Sequence, residues 1–239
     1  MQSLQSNREK QPEKIILVSK ESGIPLIGSV FIGILDRGSS LLQVRATTIC
    51  NMNCQFCSTD GGPFSEFHKI HFIVEPKYLL EELEKISKYK GYNLHYNIDS
   101  VGEPTSYPYL IELIEGIKKI KDVAKISMQT NGTLLNKKFI DSLEKAGLNR
   151  INVSVHSLDS LKAKMLFGSD NYDVQKVIDM LKYIKNTKID LWITPVWIPN
   201  INDEDIKELI KFSKEHSFNI AIQKYETYQY SRKMKKSKK

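Results

Sequence analysis

The sequence predicts an α/β fold: an incompletely closed (β/α)6 barrel behind a small N-terminal β extension. Three observations predict it. From residue 43 onward, short β-rich runs alternate with amphipathic helical runs, the order of a parallel sheet built from βαβ units. Six strands and five connecting helices can be placed, and right-handed crossovers between six parallel strands give a curved sheet. The motifs that carry chemistry all follow strand ends, so they gather on one rim. With 239 residues and 41% hydrophobic content the chain can bury a sizeable core, and its length suits one α/β domain better than two.

Residues 1–40 read as an N-terminal extension. Within it, residues 14–35 hold Ile-Ile-Leu-Val and a second β-branched run broken by Gly and Pro, which predicts a small hairpin or strand cap closing one end of the barrel. The barrel spans 41–226, with strands at 43–48, 94–99, 125–130, 150–156, 190–196 and 219–225. Helices are expected at 76–89, 107–121, 136–146, 172–186 and 203–216, where apolar residues recur at three and four. Gly147 reads as a helix stop, and Asn202 before Asp203, Glu204 and Asp205 as an N-cap. Residues 227–239 form a basic C-terminal tail.

The net charge of +7 is concentrated at that tail: residues 232–239 hold six basic residues and no acidic one, leaving the other 231 at +1. A lysine-rich run of this kind is ordinarily solvated, with phosphate contact as the functional alternative. No run of about 18 apolar residues occurs, and residues 1–14 lack an apolar signal core, so the expected location is cytoplasmic and not membrane-bound.

The chain's three cysteines fall together as Cys50, Cys54 and Cys57 in Cys-Asn-Met-Asn-Cys-Gln-Phe-Cys. Such clustering argues for metal binding in a reducing compartment rather than for disulfides. Thiolate sulfur suits iron-sulfur clusters and zinc. Three cysteines leave one corner of a cubane open for chemistry; a zinc site would instead be completed by His68 or His71.

With Phe56 just before the last cysteine, this loop resembles the C-x3-C-x-aromatic-C signature of the radical S-adenosylmethionine (radical SAM) superfamily. The resemblance implies a partial TIM-like barrel and a [4Fe-4S] cluster on Cys50, Cys54 and Cys57. It further implies S-adenosylmethionine on the open iron, with Phe56 near the adenine. Val101-Gly102-Glu103-Pro104 resembles the family's Gly-Gly-Glu motif, which engages the cofactor's amino group, with valine replacing the first glycine. Glycine permits close backbone approach, and a carboxylate accepts charge-assisted bonds from an ammonium. Thr130, Asn131 and Ser154 match positions that contact the carboxylate, ribose or sulfonium region, while Pro195 and Val196 resemble a backbone cradle for adenine. His156 stands where the family often has a carboxylate, and reads either as a substrate contact or proton carrier or as a hydrogen-bonded structural histidine. Asp99, Gln129, Gln223 and Glu226 are polar residues for a substrate pocket. No catalytic residue is assigned.

The activity this implies is reductive cleavage of S-adenosylmethionine to a 5′-deoxyadenosyl radical that abstracts hydrogen from a substrate. A low-potential donor such as ferredoxin or flavodoxin would supply the electron. RNA or protein modification is the expected substrate class, with RNA reached through the basic tail. Without a fourth cysteine, the chain has no ligands for a cysteine-bound auxiliary cluster, no methyl-carrying cysteine, and no second cysteine group like that of the molybdenum-cofactor cyclases. A cobalamin-assisted methyltransferase and a zinc-stabilised RNA-binding protein are the alternatives. Across residues 25–232, phrases such as Cys-Ser-Thr-Asp-Gly-Gly-Pro and Ser-Met-Gln-Thr-Asn-Gly-Thr-Leu-Leu resemble an uncharacterised archaeal group of radical SAM iron-sulfur proteins. Its members often carry a C-terminal RNA-binding TRAM domain, which is not found in these residues.

Overall fold

A computed structural model of the protein describes residues 14–91 and 93–232. The first half runs β1 (Lys14–Val18), β2 (Gly33–Asp36), β3 (Leu41–Arg45), β4 (Ile70–Val74), α1 (Pro76–Lys90), β5 (Leu94–Asp99), α2 (Leu110–Lys119), β6 (Val123–Thr130) and α3 (Lys137–Ala146). The second runs β7 (Arg150–Val153), α4 (Ser160–Phe167), α5 (Val174–Ile184), β8 (Asp190–Ile193), β9 (Val196–Trp197), α6 (Asp203–Glu215), β10 (Asn219–Ile220) and β11 (Gln223–Lys224).

The main sheet has the order β10-β8-β7-β6-β5-β3-β2. All pairings from β3 to β10 are parallel, and β2 alone is antiparallel, beside β3. The parallel strands lie in chain order without a reversal. Right-handed crossovers then put every helix on the same face, and strand twist curls the sheet around its other face. The result is a six-stranded partial barrel with an extra antiparallel edge. Helices cover the convex side with apolar stripes at helical spacing, such as Leu79, Leu83 and Ile86 of α1 and Val177, Ile178, Leu181 and Ile184 of α5.

The concave side is polar. In β5, Leu94, Tyr96 and Ile98 are buried beneath the helices while His95, Asn97 and Asp99 alternate with them. These inner residues bond across strands: Arg45 Nε and Gln43 Nε2 donate to Asp99, Ser127 Oγ donates to Asn97 and lies 2.7 Å from His95 Nε2. Gln129 Nε2 donates to Ser154 Oγ (3.1 Å) and Thr194 Oγ1 (2.9 Å). A closed eight-stranded barrel fills this volume with branched apolar side chains. Here the lumen is a hydrogen-bonding surface beneath the rim.

Several expected elements differ. The two extension runs do not form a hairpin with each other: β1 pairs in parallel with β4, and β2 pairs with β3. A short intervening run could not have shown which partner each strand finds. Ile70–Val74 was not expected as a strand; residues 46–48 leave the barrel to meet it, with Val74 N–H donating to Ala46 O and Thr48 N–H to Phe72 O. Strand five ends at Ile193 and resumes as β9, and strand six likewise breaks into β10 and β11. Helix α4 was also not expected, because its eight residues make little amphipathic pattern. Gly147 does stop α3, at φ 110° in the left-handed region. Asn202 precedes α6 but its side chain makes no capping bond; it accepts from Ile198 N–H and donates to Val196 O.

Candidate functional site

Cys50, Cys54 and Cys57 occupy the long connection between β3 and β4. The loop is docked on α4: Asn53 N–H donates to Phe167 O (3.0 Å) and Gln55 N–H to Leu166 O (2.9 Å), using carbonyls that a helix C-terminus leaves free. The sulfurs receive amide donors, Met52 N–H to Cys50 Sγ at 3.5 Å and Gly61 N–H to Cys57 Sγ at 3.2 Å. Burial pushes the Cys50 thiol up to about 12, and burial together with the neighbouring cysteines pushes Cys54 well above its ordinary value. Thiols in such surroundings stay protonated until a metal draws the proton off.

The loop after β5 packs against this chain segment. A Cβ on Gly102 would run into the Ile49 carbonyl and the Thr48 backbone, so only glycine allows the approach. The Glu103 N–H donates to the same Ile49 carbonyl at 2.7 Å. The Glu103 side chain is buried and accepts four bonds. Oε1 takes Thr105 N–H (3.0 Å), Thr105 Oγ1–H (2.7 Å) and Thr130 Oγ1–H (2.6 Å); Oε2 takes Asn131 N–H (2.7 Å). Burial, partly offset by these donors, raises its pKa. Both oxygens accept from backbone amides, and Oε2 keeps capacity for a further donor. Pro104 opens a 3₁₀ turn directly after it.

The loop after β6 completes the arrangement. Asn131 Nδ2 donates to Asn51 Oδ1 (2.9 Å), Asn51 Nδ2 donates to Thr133 Oγ1 (2.8 Å), and Asn131 Oδ1 accepts from Thr133 N–H and Oγ1–H. The residue after the first cysteine is thereby tied to the Thr-Asn-Gly turn. On the far side, Phe56 packs with Leu166 and Ile198, with Val196 beside them. Its ring meets His156 edge-on at 4.6 Å. His156 Nδ1 accepts from Val196 N–H at 3.0 Å, and burial pulls its pKa down to about 3. That bond to the chain's own backbone is the arrangement of a hydrogen-bonded structural histidine. Pro195 O accepts from Gln223 N–H, so the polar backbone atoms at 195 and 196 have partners within the chain.

The family model for the Radical SAM superfamily matches residues 44–213, well over half of the chain. The chain belongs to the radical SAM superfamily. An uncharacterized protein of Methanocaldococcus jannaschii, MJ0103, is 42% identical over 214 residues, 88% of this chain and 49% of that protein. GTP 3',8-cyclase of Aquifex aeolicus is 29% identical over 195 residues, 80% of this chain and 58% of the cyclase. This chain therefore spans about half the length of the curated relatives it matches. Among solved structures, Streptococcus suis SuiB bound to S-adenosylmethionine has a TM-score of 0.63 at 24% identity, covering 82% of this chain and 43% of SuiB. Native anSMEcpe with bound AdoMet has a TM-score of 0.62 at 20% identity, covering 80% of this chain and 55% of that one. Those two likenesses are of fold.

Radical SAM proteins use a [4Fe-4S] cluster and S-adenosylmethionine. The residues present suit both. Three thiols, two of them with amide donors to sulfur, are a cluster-type donor set, and Asn53 Oδ1 and Ser100 Oγ are buried beside the loops without hydrogen-bond partners. A single zinc needs four donors around one point, and among the described residues no three His, Cys, Asp or Glu are grouped to hold a metal ion. His68 Nε2 instead lies 2.8 Å from Thr59 O, and His71 sits in β4.

Of the expected site residues, Cys50, Cys54, Cys57, Phe56, Gly102, Glu103, Pro104, Thr130 and Asn131 belong to one connected set of loops. Ser154 lies just below, bonded to Gln129, and Asp99 is held by Arg45 and Gln43. Gln223 and Glu226 are exposed and belong to no lumen network. Asn51, Thr105 and Thr133 escaped sequence reasoning, although Thr133 completes the Thr-Asn-Gly-Thr phrase that could have pointed to it. Arg232 is also a correction. The sequence places it in the solvated tail, but it is half-buried against the cysteine loop and paired with Asp60. Residues 233–239 lie outside the described residues. No described helix is long and apolar enough to cross a membrane.

Proposed function

We propose that this chain is a radical SAM enzyme whose [4Fe-4S] cluster is held by Cys50, Cys54 and Cys57. Once bound and reduced, the cofactors supply a 5′-deoxyadenosyl radical that abstracts hydrogen from the substrate. Glu103 Oε2 and the close-packed Gly102 backbone receive the methionyl amino group. Thr130, Asn131 and Ser154 shape the carboxylate and ribose side, and Phe56 with Pro195 and Val196 offers apolar surface to adenine. The polar lumen under the rim orients a hydrogen-bonding substrate, and RNA or protein modification is the class it suits. A low-potential donor such as ferredoxin or flavodoxin supplies the electron, in the reducing cytoplasm.

The observation that carries this reading is the convergence of three loops: the cysteine loop, residues 101–104 and residues 130–133 are joined by Gly102 against Ile49 and by Asn51 against Asn131. The test is anaerobic reconstitution. Four irons per chain, a broad visible absorption, and 5′-deoxyadenosine after dithionite reduction with S-adenosylmethionine are expected. One zinc per chain and no 5′-deoxyadenosine would end it.

A further inference from the structure

Two residues near the C-terminus close the cysteine loop from outside. Arg232 Nη1 donates to Cys54 O (3.1 Å), Nη2 donates to Gly61 O (2.6 Å), and the Arg232 N–H donates to Cys57 O (2.9 Å). Ser231 Oγ donates to Ser58 O at 3.0 Å. Arg232 Nε also stands 2.6 Å from the buried Asp60 Oδ1, an ion pair without hydrogen-bond alignment. The other Asp60 oxygen accepts from Ser65 Oγ–H, Glu66 N–H and Phe67 N–H, which turns the chain away from the cysteines. Four carbonyls of the segment 54–61 thus accept from a strap lying more than 170 residues away, and its guanidinium stands against a buried carboxylate. A planar fork of five donors does this; an ammonium cannot reach two divergent carbonyls and a carboxylate together.

We propose that Arg232 is a positioning residue for the cluster. It latches residues 54–61 into the shape that presents the sulfurs, and it fixes one positive charge beside the cluster. This rests on the cluster reading above, and it assigns to this residue a task that neither the three-cysteine motif nor the Gly-Glu-Pro motif performs. A fixed cation next to a cluster favours the reduced form, which carries one more negative charge.

The test uses the full chain, reconstituted without oxygen, as parent, Arg232→Met and Arg232→Lys. Iron loss to a chelator and the cluster's midpoint potential, followed by electron paramagnetic resonance, are the readouts. Arg232→Met is expected to lose iron about tenfold faster, at a more negative potential. Arg232→Lys, which keeps charge without the fork, is expected to lose iron faster than the parent while staying near its potential. If Arg232→Met does not fold, Arg232→Lys decides, and parent-like iron retention in it overturns the proposal. Faster iron loss at an unmoved potential in Arg232→Met reduces the residue to a structural tie and overturns it too, as does parent-like behaviour in both readouts. A parent chain that takes up no iron instead defeats the cluster reading itself.

Discussion

Glu103 Oε2 accepts a 2.7 Å hydrogen bond from the Asn131 backbone N–H, which joins the loop after β5 to the loop after β6. Because both loops also contact the cysteine segment, this carboxylate is the centre of the rim. Glu103→Gln replaces one acceptor with a donor amid four donors. At least one buried group then loses its partner, a cost of about 1–3 kcal/mol. The expected result is a lower urea midpoint and S-adenosylmethionine binding weakened at least tenfold by equilibrium dialysis. Unchanged binding would show that the carboxylate only braces the loops.

Gly102→Ala places a methyl group against the Ile49 carbonyl, and backbone lies in the way on the Thr48 side as well. No flexible side chain can yield, so the loop after β5 must back away from the residues preceding Cys50. We expect less than half of the parent's iron per chain after reconstitution, measured by colorimetric iron assay. The far-ultraviolet spectrum should stay close to the parent's.

Asn51 and Asn131 meet through one side-chain bond of 2.9 Å and share Thr133 as partner. Residues in one hydrogen-bond network couple rather than add. A double-mutant cycle on Asn51→Ala and Asn131→Ala should therefore give a coupling energy of about 0.5–3 kcal/mol in urea unfolding. A coupling indistinguishable from zero would break the proposed link between the cysteine loop and the Thr-Asn-Gly turn.

His156 carries a pH signature. Burial lowers its folded pKa to about 3 from an ordinary 6.5. Above 6.5 the ring is neutral in both folded and unfolded chains and costs nothing. As pH falls between 6.5 and 3, the unfolded chain takes up a proton that the folded chain refuses, so stability declines by up to about 1.4 kcal/mol per pH unit from this group. In His156→Asn, whose Oδ1 can still accept from Val196 N–H, that part of the acid slope should vanish. The difference between the two stability profiles across pH 6.5 to 4 is the measurement. Parallel profiles would mean that the ring protonates in place.

The strand and helix order was readable because hydrophobic period and turn chemistry are local. Leu94–Asp99 coincides with its expected strand, and Lys137–Ala146 differs from its expected helix by one residue. The polar lumen was also written in the chain, as the alternation Leu-His-Tyr-Asn-Ile-Asp of β5, since parallel strands buried on both faces read as continuous apolar runs. Helix α4 was not readable, because its apolar residues serve two surfaces at once, the barrel and the cysteine loop. The pairing partner of β1 was hidden for a related reason: a strand's own residues do not say which edge it joins.

The linear chain was enough to place the superfamily and the six barrel strands, because each depends on spacing over a few residues. Folding was needed to show that Glu103 clasps Thr130 and Asn131, that His156 accepts from Val196 N–H, and that Arg232 leaves the basic tail for the cysteine loop. Arg232 contacts Cys54 and Gly61 across separations of 178 and 171 residues. Contacts at that range follow from how the barrel packs and which buried carbonyls still need donors, and spacing holds no record of either.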